Sequence, residues 1–445
     1  MLFFDETKAN STSNRQPRIP EFQGVILAGQ GNNLSVLPEH PSLLPKALLP
    51  VAGRPMVCYP IEWLEKAGVL DIIIVAHGPA GPRISHALKS AYTGAAEVKV
   101  ISLDGPAMGT ADALIQIRDK LKHDIVVVGC DLITDVNSTA FLDHHRVASP
   151  SLTALFYQPR WEAGTPPKDN PFASLVGVEG RTGRLVMASS PDEDEISLRT
   201  SLLWKYPCVD LYTQLQDAHA YVMQRWVLDF VADRPKIISL REDLLPLLAK
   251  AQYKRGMSKG LDVGKYIDES MTDVVMEGLK LSSTSESPVD ETSTLQPSCM
   301  AYIARRAEDG LTYRANTLLT FTEVNRHLIR EWAGERVSRN TELSVRTQIG
   351  LDSLVGDGSK VEERSSIKRS ILGSGCILGK GCKVVNTILM DNVILDDNVK
   401  LDGCIVADGA RIGEKTSLRD CLVGPNAVVP KETQEKNEEF EREGR

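Results

Sequence analysis

The chain has 445 residues, which is too long for one ordinary hydrophobic core and suggests two or three domains. Hydrophobic residues make up 42% and charged residues 25%, as in most globular proteins, and the net charge of -8 gives no electrostatic basis for direct nucleic-acid binding. No apolar run is long enough to span a membrane, and the first twenty residues lack the apolar core of a signal peptide. We therefore expect a soluble protein of the cytosol, without membrane attachment.

The cysteines and histidines give no pattern typical of a metal site. Eight cysteines are spread along the sequence without a C-x-x-C pair, and the eight histidines show no metal-binding spacing. Reduced thiols, without structural disulfides or zinc, are the expectation for so dilute a set. The adjacent His144 and His145 are expected on a solvated helix end.

The first folded unit follows residues 1–20, a polar segment with prolines that we predict to be a disordered tail. From Gly24 to Asp131, continuous apolar strands alternate with amphipathic helices. This alternation predicts a doubly wound, Rossmann-like α/β domain with a parallel sheet covered on both faces.

A glycine-spaced turn follows the first apolar strand of this unit. Gly29 and Gly31 could let backbone N–H groups approach a phosphate, and Lys46 could supply a fixed positive charge. Tight packing of a strand, turn and helix, with Lys46 as an exposed base, explains the same residues, and we favour this interpretation.

The second half of this unit has a looser pattern. Apolar segments at 152–158, 174–180, 202–213 and 299–305 are predicted strands. Helices are predicted at 217–233, at 240–253 with an interruption at Pro246, and at 321–332. Residues 191–195 are read as a solvated acidic loop, and the Ser/Thr/Pro-rich residues 282–298 as a flexible loop. The whole unit is placed at 21–335.

The last unit shows a repeat of seventeen residues in three apolar columns. The columns are Leu354, Ile371, Ile388, Ile405 and Leu422; Val361, Leu378, Leu395, Ile412 and Val429; and Ile367, Val384, Leu401 and Leu418. Four residues after the first column stand Gly358, Gly375, Asn392, Gly409 and Asn426, residue types that tolerate left-handed turns. This pattern predicts a hexapeptide-type left-handed parallel β-helix at 336–430. Cys404 and Cys421 share a column as stacked thiols, and 431–445 is predicted to be a charged tail that frays or forms an exposed helix.

The combination of L-A-G-x-G, P-K-A-L-L-P-V-x-x-x-P-M and a β-helix resembles the nucleotidyltransferases that make nucleotide-sugars, over residues 22–430. The resemblance implies a nucleotide pocket formed by Gly29, Gly31 and Lys46, by Gly109, Thr110 and Asp112 of GTADAL, and by Asp131 in the place of the metal aspartate. In such enzymes, positive charge and Mg²⁺ stabilise the pyrophosphate leaving group.

The chain departs from the active motif at the glycine loop. Enzymes of this family have G-x-G-T-R-L, whereas this chain has Asn32 and Asn33, so the arginine that grips phosphate is replaced by a neutral side chain. LVMASSPDEDE (185–195) also lacks the lysine of the family's E-K-P segment, and a second metal aspartate is not evident. We expect the pocket to be vestigial, with no catalytic residue, no metal and no bound cofactor.

A narrower resemblance is to the gamma-subunit family of eukaryotic translation initiation factor 2B. It rests on LAGQGNNL, LPKALLPVAGRPM, VGCDLITDV, DAHAYVMQRWVLDF and LREDLLPLLAKAQY, in that order. The resemblance implies a non-enzymatic subunit of a guanine-nucleotide exchange complex, with the epsilon subunit, the other subunits and translation initiation factor 2 as partners. Exchange activity in that complex lies in a helical-repeat domain of epsilon, which is not found after the β-helix of this sequence.

Alternatives remain open at the sequence level. The chain could be an active nucleotidyltransferase of the mannose-1-phosphate guanylyltransferase type, or a non-catalytic regulatory subunit that senses nucleotide-sugars. The pocket could bind a purine nucleotide weakly as an allosteric ligand. Asp131 is expected to cap a helix or turn rather than to hold Mg²⁺, and Asp135 to contact a basic partner.

Overall fold

The computed structural model describes residues 21–29, 34, 44–103, 109–159, 173–189, 200–254, 261, 263–266, 297–305, 309–331 and 336–441. The predicted tail at 1–20, the acidic loop at 191–195 and most of the loop at 282–298 lie outside these residues.

The N-terminal unit contains thirteen strands and eight α-helices within the described ranges. The strands are β1 (Phe22–Ala28), β2 (Pro50–Val51), β3 (Arg54–Pro55), β4 (Asp71–His77), β5 (Glu97–Leu103), β6 (Asp124–Gly129), β7 (Leu132–Thr134), β8 (Leu152–Tyr157), β9 (Ala173–Glu179), β10 (Leu185–Ser189), β11 (Val209–Met223), β12 (Cys299–Ala304) and β13 (Thr312–Arg314). The helices are α1 (Cys58–Lys66), α2 (Ala80–Ala91), α3 (Thr110–Gln116), α4 (Ser138–Ala148), α5 (Thr200–Lys205), α6 (Trp226–Ala232), α7 (Leu245–Ala251) and α8 (Leu318–Glu331).

Nine of these strands form one mixed sheet, in the order β10-β9-β11-β6-β1-β4-β5, with β8 paired to β11 and β12. The pairs β6–β1, β1–β4 and β4–β5 are parallel. Alternate residues of β1 point to opposite faces: Val25 lies in one apolar core and Ile26 in the other. The sheet is therefore covered on both faces, and the predicted doubly wound, Rossmann-like fold is confirmed.

The prediction of a helix over 217–233 is wrong for its first half. Residues up to Met223 belong to β11, and only Trp226–Ala232 are helical. Strand β11 pairs with β6, β8 and β9, and Ala220 and Tyr221 are buried on opposite faces of the sheet. Because both faces are buried, the strand lacks the alternation that would have identified it.

Three smaller features also differ from the prediction. The predicted strand at 202–213 begins as helix α5 and becomes β11 only at Val209. A short π-helix, Leu240–Leu244, precedes α7, so that Pro246 lies in the first turn of α7, where its missing N–H is tolerated. His145 is buried and its Nδ1 lies 2.8 Å from Thr153 Oγ1, so it is not on a solvated helix end.

The C-terminal unit is a stack of parallel strands in three six-stranded sheets. The first sheet contains Glu342–Leu343, Lys360–Val361, Ile377–Leu378, Ile394–Leu395, Arg411–Ile412 and Val428–Val429. The second contains Gln348–Ile349, Ser366–Lys368, Lys383–Val385, Lys400–Asp402, Ser417–Arg419 and Gln434–Lys436. The third contains Leu354–Val355, Ile371–Leu372, Ile388–Leu389, Ile405–Val406, Leu422–Val423 and Glu439–Phe440. This is the predicted left-handed β-helix.

The repeat is confirmed in its register and its turns. Ile371 pairs with Ile388 one coil away, and the Gly/Asn position has positive φ in every predicted coil, as at Asn392 with φ 57°. Cys404 and Cys421 are buried free thiols in adjacent coils.

The stack extends beyond its predicted end. The segment 431–445 was expected to fray or to form a helix, but Gln434–Lys436 and Glu439–Phe440 are the last described strands. Leu422 N donates to Glu438 O at 3.0 Å, so the backbone ladder continues although the side chains are charged. A polar last coil is typical of the cap that such a stack needs.

The first apolar column packs against the N-terminal unit instead of lining the β-helix interior. Leu354, Ile388 and Leu422 share an apolar cluster with Val51 and Phe321, whereas the second and third columns lie in the core of the β-helix. The two units are thus joined by a continuous apolar core that includes the β2–β3 hairpin and helix α8.

A buried polar contact also fixes this junction. Asn325 of α8 is fully buried, and its Oδ1 accepts a hydrogen bond of 2.8 Å from Ala52 N. Ala52 has φ 47°, a left-handed conformation that a non-glycine residue adopts only when its surroundings hold it there. Asn325 therefore positions the LPVAGRPM hairpin against the β-helix.

Candidate functional site

The candidate pocket lies at the carboxyl ends of β1 and β6, the edge where parallel α/β sheets bind ligands. Gly29 follows β1, and Asp131 lies two residues beyond the end of β6. Cys130 N donates to Leu27 O at 3.1 Å, which keeps these two strand ends together. Gly31, Asn32 and Asn33 lie outside the described residues, so their predicted roles stay predictions.

Asp131 lies in a buried cluster with two cationic side chains. Its Oδ2 accepts from Lys46 Nζ at 2.9 Å and from Arg314 at 3.2 Å. Lys46 opens a short 3-10 helix, Lys46–Leu48, and its side chain is only 10% exposed, so the prediction of an exposed base is wrong. The prediction that Asp131 caps a helix or turn through its side chain is also wrong, because that carboxylate is engaged by Lys46 and Arg314.

The electrostatics of Asp131 follow from these contacts. Burial alone would raise its pKa, but the guanidinium of Arg314 and the ammonium of Lys46 hold the pKa of this carboxyl well below its usual range. Burial alone would lower the pKa of Arg314, but Asp131 keeps it above its ordinary value. Asp131 and Arg314 are therefore both charged at neutral pH.

A bulge in β11 places further polar groups beside Asp131. The register between β11 and β8 shifts between Asp217 and Tyr221, and His219 within it has φ 56°. Asp217 accepts from His219 N at 2.7 Å and from the Tyr221 hydroxyl. Burial, reinforced by Arg314, lowers the pKa of His219 to about 4, so this imidazole is neutral at pH 7.

The GTADAL segment is used for local packing. Gly109 caps α3, and its N–H donates to Asp112 Oδ2 at 3.3 Å. A Cβ at Gly109 would lie 2.2 Å from Ile238 O, so only glycine fits there. Thr110 Oγ1 accepts from Leu240 N at 2.9 Å. Thr110 therefore attaches α3 to the segment before α7.

Arg314 is the site residue that sequence analysis missed. It lies 183 positions from Asp131, on β13, which pairs with β7 immediately after the Asp131 turn. A single arginine at the end of a short strand gives no signal of its own. Asp135, by contrast, is exposed as expected, and its contact with a basic partner stays a prediction.

Asp131 is not a free metal ligand in this arrangement. Lys46 and Arg314 occupy Asp131 Oδ2, so a Mg²⁺ ion at this oxygen would have to displace a buried cation or bind beside it.

Two family models match separate parts of the chain. The nucleotidyl transferase model matches residues 23–165, and the model for the left-handed β-helix domain of the eIF2B epsilon subunit matches residues 336–434. The first range contains Asp131 and the part of the N-terminal unit up to β8, and the second covers nearly all of the stacked coils.

Three curated relatives are similar to more than half of the chain. The chain is 36% identical over 255 residues to translation initiation factor eIF2B subunit gamma of Schizosaccharomyces pombe, covering 56% of this chain and 55% of that protein. It is 28% identical to the same subunit of Dictyostelium discoideum over 69% of this chain and 75% of that protein. The subunit of Caenorhabditis elegans is 28% identical over 53% of this chain and 59% of its own length.

The chain resembles the gamma subunits of eIF2B. The alignment spans little more than half of the Schizosaccharomyces pombe and Caenorhabditis elegans gamma subunits. In the described part of this eIF2B gamma-like chain, no helix is both long and apolar enough to cross a membrane.

Proposed function

We propose that this chain is a non-catalytic subunit of an eIF2B-type guanine-nucleotide exchange complex. In this proposal it pairs with an epsilon-type subunit in the cytosol and promotes exchange of GDP for GTP on translation initiation factor 2. The similarity to named gamma subunits supports membership of a translation factor complex. The observation that carries the non-catalytic part is the engagement of Asp131 by Lys46 and Arg314.

Nucleotidyl transfer needs free cationic groups at the phosphates of the nucleotide. The reaction expels pyrophosphate, whose developing negative charge must be stabilised by cations placed at the phosphates. Here Lys46 points at a carboxylate instead, and Asn33 stands where the family has arginine. Losing one preorganised charge donor costs about 10²- to 10³-fold in rate, so the combined loss would leave no useful turnover.

The proposed role requires the rigid connection between the two units. A subunit that acts through partners must present its surfaces in a fixed relation, and the shared apolar cluster around Phe321 and Ile388 provides this. The N-terminal unit itself covers the first column of the β-helix. Partner contacts must therefore use other surfaces of the stack.

Co-purification followed by an exchange assay tests the proposal. A tagged copy of the chain is isolated from cells, and the bound proteins are identified. The complex is then assembled with and without the chain, and release of labelled GDP from translation initiation factor 2 is measured. We expect an epsilon-type β-helix protein in the isolate and faster GDP release with the chain present. Isolation without any such partner, or unchanged GDP release, would contradict the proposal.

An enzymatic function is the second candidate, because residues 23–165 match the nucleotidyl transferase family. A guanylyltransferase would release pyrophosphate from GTP and a hexose 1-phosphate. A nucleotide-sugar-sensing regulatory subunit would bind the product without turnover and would co-purify with such an enzyme. The same isolation experiment distinguishes these partners from translation factors.

A further inference from the structure

We propose that Asp135, His327 and Glu331 form a binding site for a divalent first-row metal ion, with Zn²⁺ as the best match. One ligand atom from each of the three side chains lies within 4.8 Å of the other two. The site is separate from Asp131 and independent of the proposed exchange function.

The two elements that provide the ligands are held in place by other contacts. His327 and Glu331 are four residues apart on α8, so they project from the same side of the helix, with Nε2 and Oε2 3.6 Å apart. Asp135 follows β7. Its backbone N donates to Leu311 O at 2.9 Å, and its Oδ2 accepts from Leu311 N at 3.0 Å.

These contacts resemble the supporting shell of known metal sites. The hydrogen bond from Leu311 orients the carboxylate of Asp135 and leaves its other oxygen for a ligand. The ring of His327 is 15% exposed and lies 6.0 Å from the ring of Tyr313, which restricts its orientation. The cluster therefore needs only a small closure to reach metal-ligand distances.

The donor set selects the class of ion. One imidazole nitrogen and two carboxylate oxygens suit Zn²⁺ and neighbouring transition metals, whereas Ca²⁺ and Mg²⁺ prefer oxygen ligands alone. The side chain of Glu331 is 66% exposed, so water can reach the site and complete the coordination. A bound ion here would tie the strand end that follows Asp131 to the helix that packs on the β-helix.

The charge balance also favours a cation. Among the ion pairs of the described residues, neither Asp135 nor Glu331 is joined to a lysine or arginine, and Glu331 is paired only with His327. The cluster thus places two carboxylates near one imidazole. Bringing like charges together is unfavourable, and a divalent ion would offset this.

Metal titration of the full chain tests the site. The protein is stripped with a chelator, and Zn²⁺ binding is measured by calorimetry in a Cys208→Ser background, because Cys208 is an exposed free thiol. We expect one equivalent to bind, with Kd raised at least about tenfold in Glu331→Gln and in His327→Gln. The control Glu438→Gln, an exposed carboxylate on the last coil, should bind as the parent does.

A second measurement separates ligand loss from misfolding. Co²⁺ bound by nitrogen and oxygen gives visible absorption bands without the intense near-ultraviolet absorption of a thiolate complex. Glu331→Gln keeps the helix and its apolar face, so it should fold normally and lose these bands. Equal Kd in all variants, or a thiolate-type cobalt spectrum, would overturn the proposal.

Discussion

Lys46 Nζ lies 2.9 Å from Asp131 Oδ2, and both side chains are buried. In the nucleotidyltransferases that this chain resembles, the corresponding groups face the phosphates and the metal. Here they face each other, and Arg314 completes the cluster. The buried Lys46–Asp131 ion pair should therefore contribute to the stability of the N-terminal unit.

Asp131→Asn is expected to destabilise the N-terminal unit strongly. Removing the carboxylate leaves two buried cations without compensation, which costs about 3–5 kcal/mol. The free energy of unfolding from urea denaturation provides the measurement. Asp402→Asn is the control, since Asp402 pairs with Arg419 on the exposed surface of the β-helix and should cost less than about 1 kcal/mol. If the free energy of unfolding fell equally in the two variants, the Asp131 cluster would not be a special source of stability.

Stability is expected to fall in mild acid because of buried histidine. Burial lowers the pKa of His145 from 6.5 to about 4, and His219 behaves similarly. The unfolded chain therefore binds more protons than the folded chain between pH 6.5 and about 4. Stability is lost as pH falls through this window, by up to about 1.4 kcal/mol per pH unit for each histidine.

Substitution identifies the source of this pH dependence. His145→Gln should reduce the slope of unfolding free energy against pH by about one proton across this window. Denaturant unfolding at several pH values between 4 and 7 measures the slope, with the exposed His86→Gln as the control variant. An unchanged slope in His145→Gln would mean that His145 is not buried as a neutral imidazole.

Asn325→Ala is expected to weaken the junction between the units. The variant leaves the Ala52 N–H buried without its acceptor, which costs about 1–3 kcal/mol. Ala52→Gly is the matched comparison: glycine tolerates the left-handed conformation, so this change should be neutral or slightly stabilising. Thermal unfolding of both variants gives the measurement. An unchanged unfolding temperature in Asn325→Ala would contradict the role of Asn325 in holding the junction.

An aspartate introduced on the face of the β-helix that packs against the N-terminal unit should have a larger effect than one on an exposed face. Ile388 is 4% exposed and faces the N-terminal unit, whereas Ile377 is 43% exposed on another sheet of the same stack. Ile388→Asp buries a carboxylate between the units and should increase cleavage of the junction by limited proteolysis. Ile377→Asp should be cleaved as slowly as the parent. The reverse order would show that another column faces the N-terminal unit.

The repeat and the alternating strands were predictable because each leaves a local periodic signal in the sequence. The inward columns of the β-helix recur every seventeen residues, so the register of Ile371 with Ile388 followed from spacing alone. Burial of a surface by a second domain produces no periodic pattern in the sequence. The first column, which faces outward, has the same apolar residue types and spacing as the two inward columns. Strand β11 was misread because Ala220 and Tyr221 are buried on opposite faces.

The candidate site was only half predictable for a related reason. Lys46 and Asp131 stand in motifs that a family resemblance identifies, but their mutual contact depends on how distant segments fold together. Arg314 comes from a strand 183 positions away, and the Asp135, His327 and Glu331 cluster likewise joins two distant elements. Contacts between residues that are distant in sequence depend on tertiary packing. A local sequence pattern does not reveal them.

Pyrophosphate release is the most direct test of the claim that this chain does not transfer nucleotides. The purified full chain is incubated with Mg²⁺, GTP or ATP and a panel of hexose 1-phosphates, and pyrophosphate is measured by a coupled assay. We predict no release above the protein-free background. Robust release of pyrophosphate above that background would contradict the account.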